Sequence, residues 1–310
     1  MIAIGCVNVR ESLKNVIKNA IIFECRLPDK ASGLDKSCLS FYGDECFRND
    51  DNMALSSVIY NGIVEYAINQ YKIKYDELDL EQMRVLIKNI RYNSGAEQAE
   101  KLKYGFYGEI LLDLILRYFM KTTVLIARGY FYSVLENSEP KGFDAFHVME
   151  QDGKLELWFG EAKFHQDYKQ AIKQVLEKIH ISLSDQYVGR NLIALFDWRD
   201  RFTIPSSKID DLLSAWETNP SINIVTEMNA HNMRFIYPVF IAYEKVDATS
   251  YHNNIGGCIE YIKKLTAELG VSIPASFDCR LFFIFLPITD VKKVKECVIE
   301  WIEARKPLML

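Results

Sequence analysis

The chain has 310 residues, 49% hydrophobic and 25% charged, with only 15 Gly and 8 Pro. That is enough apolar material for one large or two modest domains, and it excludes disordered, collagen-like and coiled-coil classes. The net charge of −5 argues against a surface that grips DNA unaided, so any nucleic-acid chemistry must work through a local site or through a partner. The longest apolar run, Leu281 to Ile288, falls well short of the about 20 residues of a membrane helix. The first residues lack the basic and apolar regions of a secretory signal. These features predict a cytoplasmic protein with no membrane partner. Seven Cys without a CxxC pair predict reduced, mostly buried thiols.

In chain order, residues 1–98 combine a strand-like stretch at Ala20 to Cys25 with helix-period segments over about 52–70 and 80–92. Pro28 to Asp51 reads as irregular. After the Asn93-Ser94-Gly95 break comes a helix over Ala96 to Met120. Strands are expected at Val124 to Ala127, Tyr130 to Leu135, Phe143 to Met149 and Leu155 to Phe164. Asp167 caps a helix reaching about His180, and Leu192 to Phe196 reads as a strand. Beyond it, the pattern alternates: helix 207–217, strand 235–243, helix 256–269, strand 280–287, helix 290–305. This predicts an α/β fold around a mixed central sheet, divided as a 1–98 N-terminal region, a 99–245 core and a 246–310 C-terminal α/β extension.

The chemistry sits in one hairpin. Gln151-Asp152-Gly153-Lys154 is the strongest short turn signal in the chain. If Gln151 faces Lys154, the ladder brings Asp144 opposite Glu161. Lys163 then shares the Glu161 face about 6–7 Å along the strand. One face carries Phe146, Val148, Leu155, Leu157 and Phe159 beside the charges; the other carries Ala145, His147, Met149, Trp158, Gly160 and Ala162. Facing carboxylates on a covered sheet call for a cation, a shared proton or a nearby base, and two hard oxygen ligands suit Mg²⁺. The alternative is a turn at Asp144 with Glu161 and Lys163 as a surface ion pair. A one-residue slip would also send Asp144 to the other face.

The remaining candidates read more simply. Gln166, Gln170 and Gln174, with Lys169, Lys173 and Lys178, form a polar helix surface. The five His lack metal-ligand spacing, and only His165 lies near the hairpin. Asp113 reads as surface, and Tyr130-Phe131-Tyr132 as core aromatics. No phosphate-binding glycine loop occurs, so a motor activity would have to come from another protein.

Asp144 with Glu161-Ala162-Lys163 across a hairpin, followed by a helix, resembles the PD-(D/E)xK nuclease signature, with Phe143 in place of its proline. The Gly108-Glu109-Ile110-Leu111-Leu112 helix, Gly142-Phe143-Asp144 and Gly160-Glu161-Ala162-Lys163-Phe164 together resemble the HamA family. HamA proteins are nuclease subunits of the Hachiman anti-phage system, paired with the helicase HamB. The resemblance spans about residues 99–200 and implies a restriction-endonuclease-like core. It implies a Mg²⁺-dependent (Mn²⁺ as substitute) DNA endonuclease acting in antiviral defence with a HamB-like helicase. In it Asp144, Glu161 and the Ala162 carbonyl hold metal, Lys163 acts on the attacking water, and Glu109 holds a second metal or a metal-bound water. The rival readings are a non-catalytic sensor subunit of the helicase complex and a stand-alone restriction-type endonuclease.

Overall fold

In a computed structural model the described residues are 9–131 and 142–309, without 152, 197, 199, 201, 203–210, 212–213, 216–222 and 248–249. The fold is α/β. One mixed seven-stranded sheet has the order β1-β2-β7-β6-β5-β4-β3. Its strands are β1 (Ile22–Arg26), β2 (Glu45–Arg48), β3 (Thr123–Val124), β4 (Ala145–Gln151), β5 (Lys154–His165), β6 (Met233–Glu244) and β7 (Cys279–Ile288). The β2-β7-β6-β5 neighbours are parallel, whereas β1-β2, β5-β4 and β4-β3 are antiparallel. The parallel strands β6 and β7 are apolar almost throughout, because helices cover both of their faces.

One face carries α1 (Glu11–Ala20), α2 (Asn52–Ala67), α3 (Leu78–Val85), α4 (Gln98–Lys101), α5 (Phe106–Tyr118) and the last helix α10 (Val291–Glu303). The other carries α6 (Tyr168–Ser182), α7 (Asp185–Phe196), α8 (Ile224–Ala230) and α9 (Tyr251–Leu269). Asp51 caps α2 by accepting from the Met53 and Ala54 amides, and Asp167 caps α6 by accepting from Lys169. No helix among the described residues is long and apolar enough to cross a membrane.

Several elements depart from the sequence reading. The segment Leu192 to Phe196 is the end of helix α7. Val188, Leu192 and Leu195 face the core at helical spacing, a pattern that a five-residue apolar run conceals. Tyr130 and Phe131 lie in a 3₁₀ turn (Arg128–Phe131), and the rest of the strand expected through Leu135 falls outside the described residues, as does most of the 207–217 helix. The turn forms where Gly129 packs against the Ala67 backbone with no room for a Cβ. The helix expected over Ala96 to Met120 is split into α4, which ends at Lys101, and α5, which begins at Phe106 with Gly105 as its N-cap. Strand β2 and helix α8 carry no strong sequence signal; α1 does, with Leu13, Ile17 and Ala20 at helical spacing on its buried face, and it lies outside the expected elements. Of the cysteines described, Cys46, Cys258 and Cys297 are buried and Cys38 is exposed, all as free thiols.

Candidate active site

The hairpin register is the one the turn dictates: Gln151 pairs with Lys154, Phe146 with Phe159 and Ala145 with Gly160. Phe146, Val148, Leu155, Leu157 and Phe159 line one core, while Ala145, Met149, Trp158 and Ala162 meet the other, so the two faces divide as alternation requires. Beyond Ala145 the ladder ends, and the Asp144 amide donates to the Gly160 carbonyl at 2.8 Å. This turns the Asp144 carboxylate over the end of β5, where it accepts from the Ala162 amide at 2.8 Å. Lys163 donates to Glu161 on the same strand. Asp144 keeps 16% of its side chain exposed, Glu161 21% and Lys163 19%, so the cluster is largely enclosed yet reachable from solvent.

Phe143 is buried and plugs the core behind Asp144. Its ring packs at 5.3 Å from Tyr187 and 5.8 Å from Tyr237. Gly142 before it adopts a φ of +140°, and a Cβ there would stand 2.8 Å from Asn191 Oδ1.

Glu109 comes to the same region from the first turn of α5, where its negative charge suits the helix dipole. Gly108 allows this approach: a Cβ there would lie 3.2 Å from Phe164 Cβ, so α5 rides directly on β5. The Glu109 carboxylate accepts from the Tyr66 hydroxyl and lies 3.6 Å from Arg128 Nε. Arg128 also lies 3.9 Å from Asp144. Neither Arg128 nor Tyr66 was singled out by the sequence. An arginine inside the apolar stretch Val124 to Phe131 is the one available signal for Arg128, while Tyr66 offers none.

The electrostatics follow from this crowding. Burial, with Glu161 and Glu109 nearby, raises the Asp144 carboxyl well above the usual carboxylate range, against the pull of Arg128 and Lys163. Burial opposes the charge on Lys163, but Glu161, Asp144 and Glu109 outweigh it and raise its pKa above the ordinary lysine value. Tyr187 and Tyr237 are raised by burial and by the charge of Glu161, so both phenols stay protonated.

Other sequence candidates lie elsewhere. Asp113 is buried rather than surface: it pairs with Arg117 at 2.8 Å and with His147 Nε2 at 2.9 Å, and His147 Nδ1 contacts Thr122. Helical spacing hid this, because its partners come from α5 itself and from β4. Gln170, Gln174, Lys169, Lys173 and Lys178 are exposed on α6, a solvated face, and Gln166 is exposed just before it. His165 is half-buried beyond Lys163.

Among the described residues no group of three or more His, Cys, Asp or Glu side chains is gathered to hold a metal ion. The donors present suit a hard cation that takes one or two carboxylates and keeps its waters, as Mg²⁺ does. The mutual repulsion at Asp144 is what such a cation relieves.

A family model described as HamA matches residues 15–302. The chain belongs to the HamA family. The match extends beyond the 99–200 stretch on which the sequence resemblance rested, so β1, β2, β7 and α10 lie within the HamA region. HamA membership supports a role in anti-phage defence. Neither a curated protein nor a solved structure matches the chain.

Proposed function

We propose that this HamA-family chain is the nuclease of its defence system, hydrolysing DNA phosphodiester bonds at the Asp144–Glu161–Lys163 cluster with Mg²⁺, or Mn²⁺ in its place, and working with a HamB-like helicase. The observation that carries the reading is the convergence at the end of β5. Asp144 docks on the Ala162 amide beside an ion-paired Glu161 and Lys163, with the Asp144 carboxyl electrostatically frustrated. The order α5, β3, β4, β5, α6 and, after α7 and α8, β6 parallel to β5 supports a PD-(D/E)xK core.

When bound, Mg²⁺ supplies a Lewis acid for the scissile phosphate and lowers the pKa of a bound water. Asp144 and Glu161, with the Ala162 carbonyl, are the groups that would hold it. The Ala162 amide holds Asp144 Oδ2, which leaves Oδ1, 3.9 Å from Arg128, as the oxygen that would meet the cation. Lys163 remains an ammonium at neutral pH, which favours orienting the water and stabilising phosphate charge over taking a proton. Glu109, tied to Tyr66 and facing Arg128, is placed to fix a metal-bound water rather than to carry a full metal set of its own.

One observation favours a second reading, a non-catalytic sensor subunit: both proposed ligands already have cationic side-chain partners, Lys163 at Glu161 and Arg128 3.9 Å from Asp144. One assay separates the two. Plasmid DNA is incubated with the purified chain, alone and with its helicase partner, in Mg²⁺ or EDTA. Mg²⁺-dependent cleavage that disappears in Asp144→Asn supports the nuclease. Intact DNA under every condition supports the sensor, and cleavage surviving in EDTA or in Asp144→Asn contradicts the assignment.

A further inference from the structure

A cleft of about 600 Å³ adjoins the cluster, bounded by the chain before α5, the C-terminal end of β5 and the start of α10. Ala162 and Lys163 form part of its wall, so it is continuous with the proposed centre. Its other charged lining is strongly one-sided. Lys103, Lys292 and Lys295 stand against a single acid, Asp167, which is occupied as the cap of α6. Three helices of thirteen, fifteen and thirteen residues, α5, α6 and α10, begin at its rim. Their positive dipole ends add to the lysines' field.

Lys295 is the unusual member. It is half-buried; its ammonium donates to the Leu102 carbonyl at 3.0 Å and lies 5.2 Å from the Phe164 ring centre and 5.4 Å from that of Tyr107. Burial alone pulls its pKa down to about 8, with no acidic neighbour opposing it. Structural lysines ordinarily gain a carboxylate when water is withdrawn from them, as Lys101 does with Glu303. Lys103 is exposed, and Lys292 pairs only with Glu296 on its own helix at 3.5 Å, where water screens the contact. A cleft with a desolvated cation at its wall, flanked by two displaceable ones, is arranged for an anion that arrives from outside.

We propose that this cleft binds the phosphodiester backbone of the DNA strand adjoining the bond to be cut, with Lys295 as the anchoring cation and Lys103 and Lys292 as flanking contacts. The proposal rests on the nuclease reading for the identity of its ligand. It also gives a chain of net charge −5 a local patch for a polyanion, four lysines facing one acid in a single cleft.

The test is fluorescence anisotropy of labelled single-stranded and duplex DNA with the full chain in EDTA, titrated with KCl. Two variants are compared with wild type: Lys295→Met, and Lys103→Glu with Lys292→Glu, both of these exposed positions. Lys295→Met should weaken binding about tenfold or more. The double variant should weaken it as well and reduce the slope of log affinity against log salt by about 1.4 on single strands and about 1.8 on duplex, the release expected for two lost phosphate contacts. If Lys295→Met fails to fold, the double variant carries the test. Unchanged affinity and slope in the folded variants, no DNA bound by the wild-type chain, or a mononucleotide held as tightly as DNA would each overturn the proposal. A parallel Mg²⁺ cleavage assay keeps the two readings apart. Wild type that binds DNA through these lysines without cutting it, alone or with the helicase partner, supports the cleft and removes the nuclease, whereas lysine variants that cut at the full rate remove the cleft and leave the nuclease.

Discussion

The guanidinium of Arg128 lies 3.9 Å from the Asp144 carboxylate and, through its Nε, 3.6 Å from Glu109, so one cation spans two acids that arrive from different elements. A 3₁₀ turn supplies the arginine, the residue just before β4 the aspartate and the first turn of α5 the glutamate. Removing Arg128 leaves buried negative charge uncompensated. Arg128→Met should therefore cost about 3–5 kcal/mol in urea unfolding. Added Mg²⁺ should return part of that loss, since a ligand of the folded state stabilises it by mass action. An Arg128→Met protein as stable as wild type in EDTA would contradict this account.

Asp144 gives a pH-dependent expectation. Its folded pKa is raised above the unfolded value by burial and by Glu161 and Glu109, so ionised Asp144 is destabilising wherever the pH exceeds that folded pKa. The penalty shrinks as pH falls through the folded pKa and is gone below the ordinary aspartate range. Asp144→Asn should thus be more stable than wild type at neutral pH in EDTA, with the gap closing on acidification. A gap that widens at low pH would show the carboxylate to be favourably solvated instead.

Lys163 stays charged because three carboxylates surround it. If it orients water and stabilises phosphate charge, Lys163→Met should lower the single-turnover cleavage rate by about 10²–10³-fold, the scale of losing one preorganised charged donor. In the wild type, no pH-rate limb near neutrality should belong to Lys163. A limb near neutrality that vanishes in Lys163→Arg would assign it a base role instead.

Gly160 tests the packing that aims these groups. A Cβ there would stand 2.9 Å from the Pro238 carbonyl and 3.0 Å from Leu112 Cδ2, one contact on β6 and one on α5. Gly160→Ala should cost about 1–3 kcal/mol by overpacking and should reduce Mg²⁺ affinity, because Glu161 follows directly. Loss of stability with unchanged metal affinity would separate the scaffold from the site.

Much of the site could be read from the chain because a two-residue turn fixes register, and register fixes which side chains share a face. The pairing of Gln151 with Lys154 placed Asp144, Glu161 and Lys163 together without tertiary information. Glu109 needed the family resemblance, since its approach depends on Gly108 lying against Phe164. Arg128, Tyr66 and the Asp113–His147 pair were hidden because their partners are distant in sequence and polar residues buried in pairs look like surface residues one at a time. The helix at Leu192 to Phe196 was misread for a related reason: a short apolar run has no period of its own, and the spacing to Val188 decides it. In the fold, β6 and β7 were plain from their continuous apolar content, whereas four-residue β2 is defined only by its neighbours β1 and β7.

Divalent-ion binding tests the central claim most directly. Mn²⁺ titrated into the full chain without DNA, followed by the loss of its free-ion electron paramagnetic resonance signal, should be taken up by wild type and left free by the Asp144→Asn, Glu161→Gln double variant at equal folded concentration. Uptake that is absent in wild type, or undiminished in the double variant, would show that these opposed acids do not form the ion's cradle.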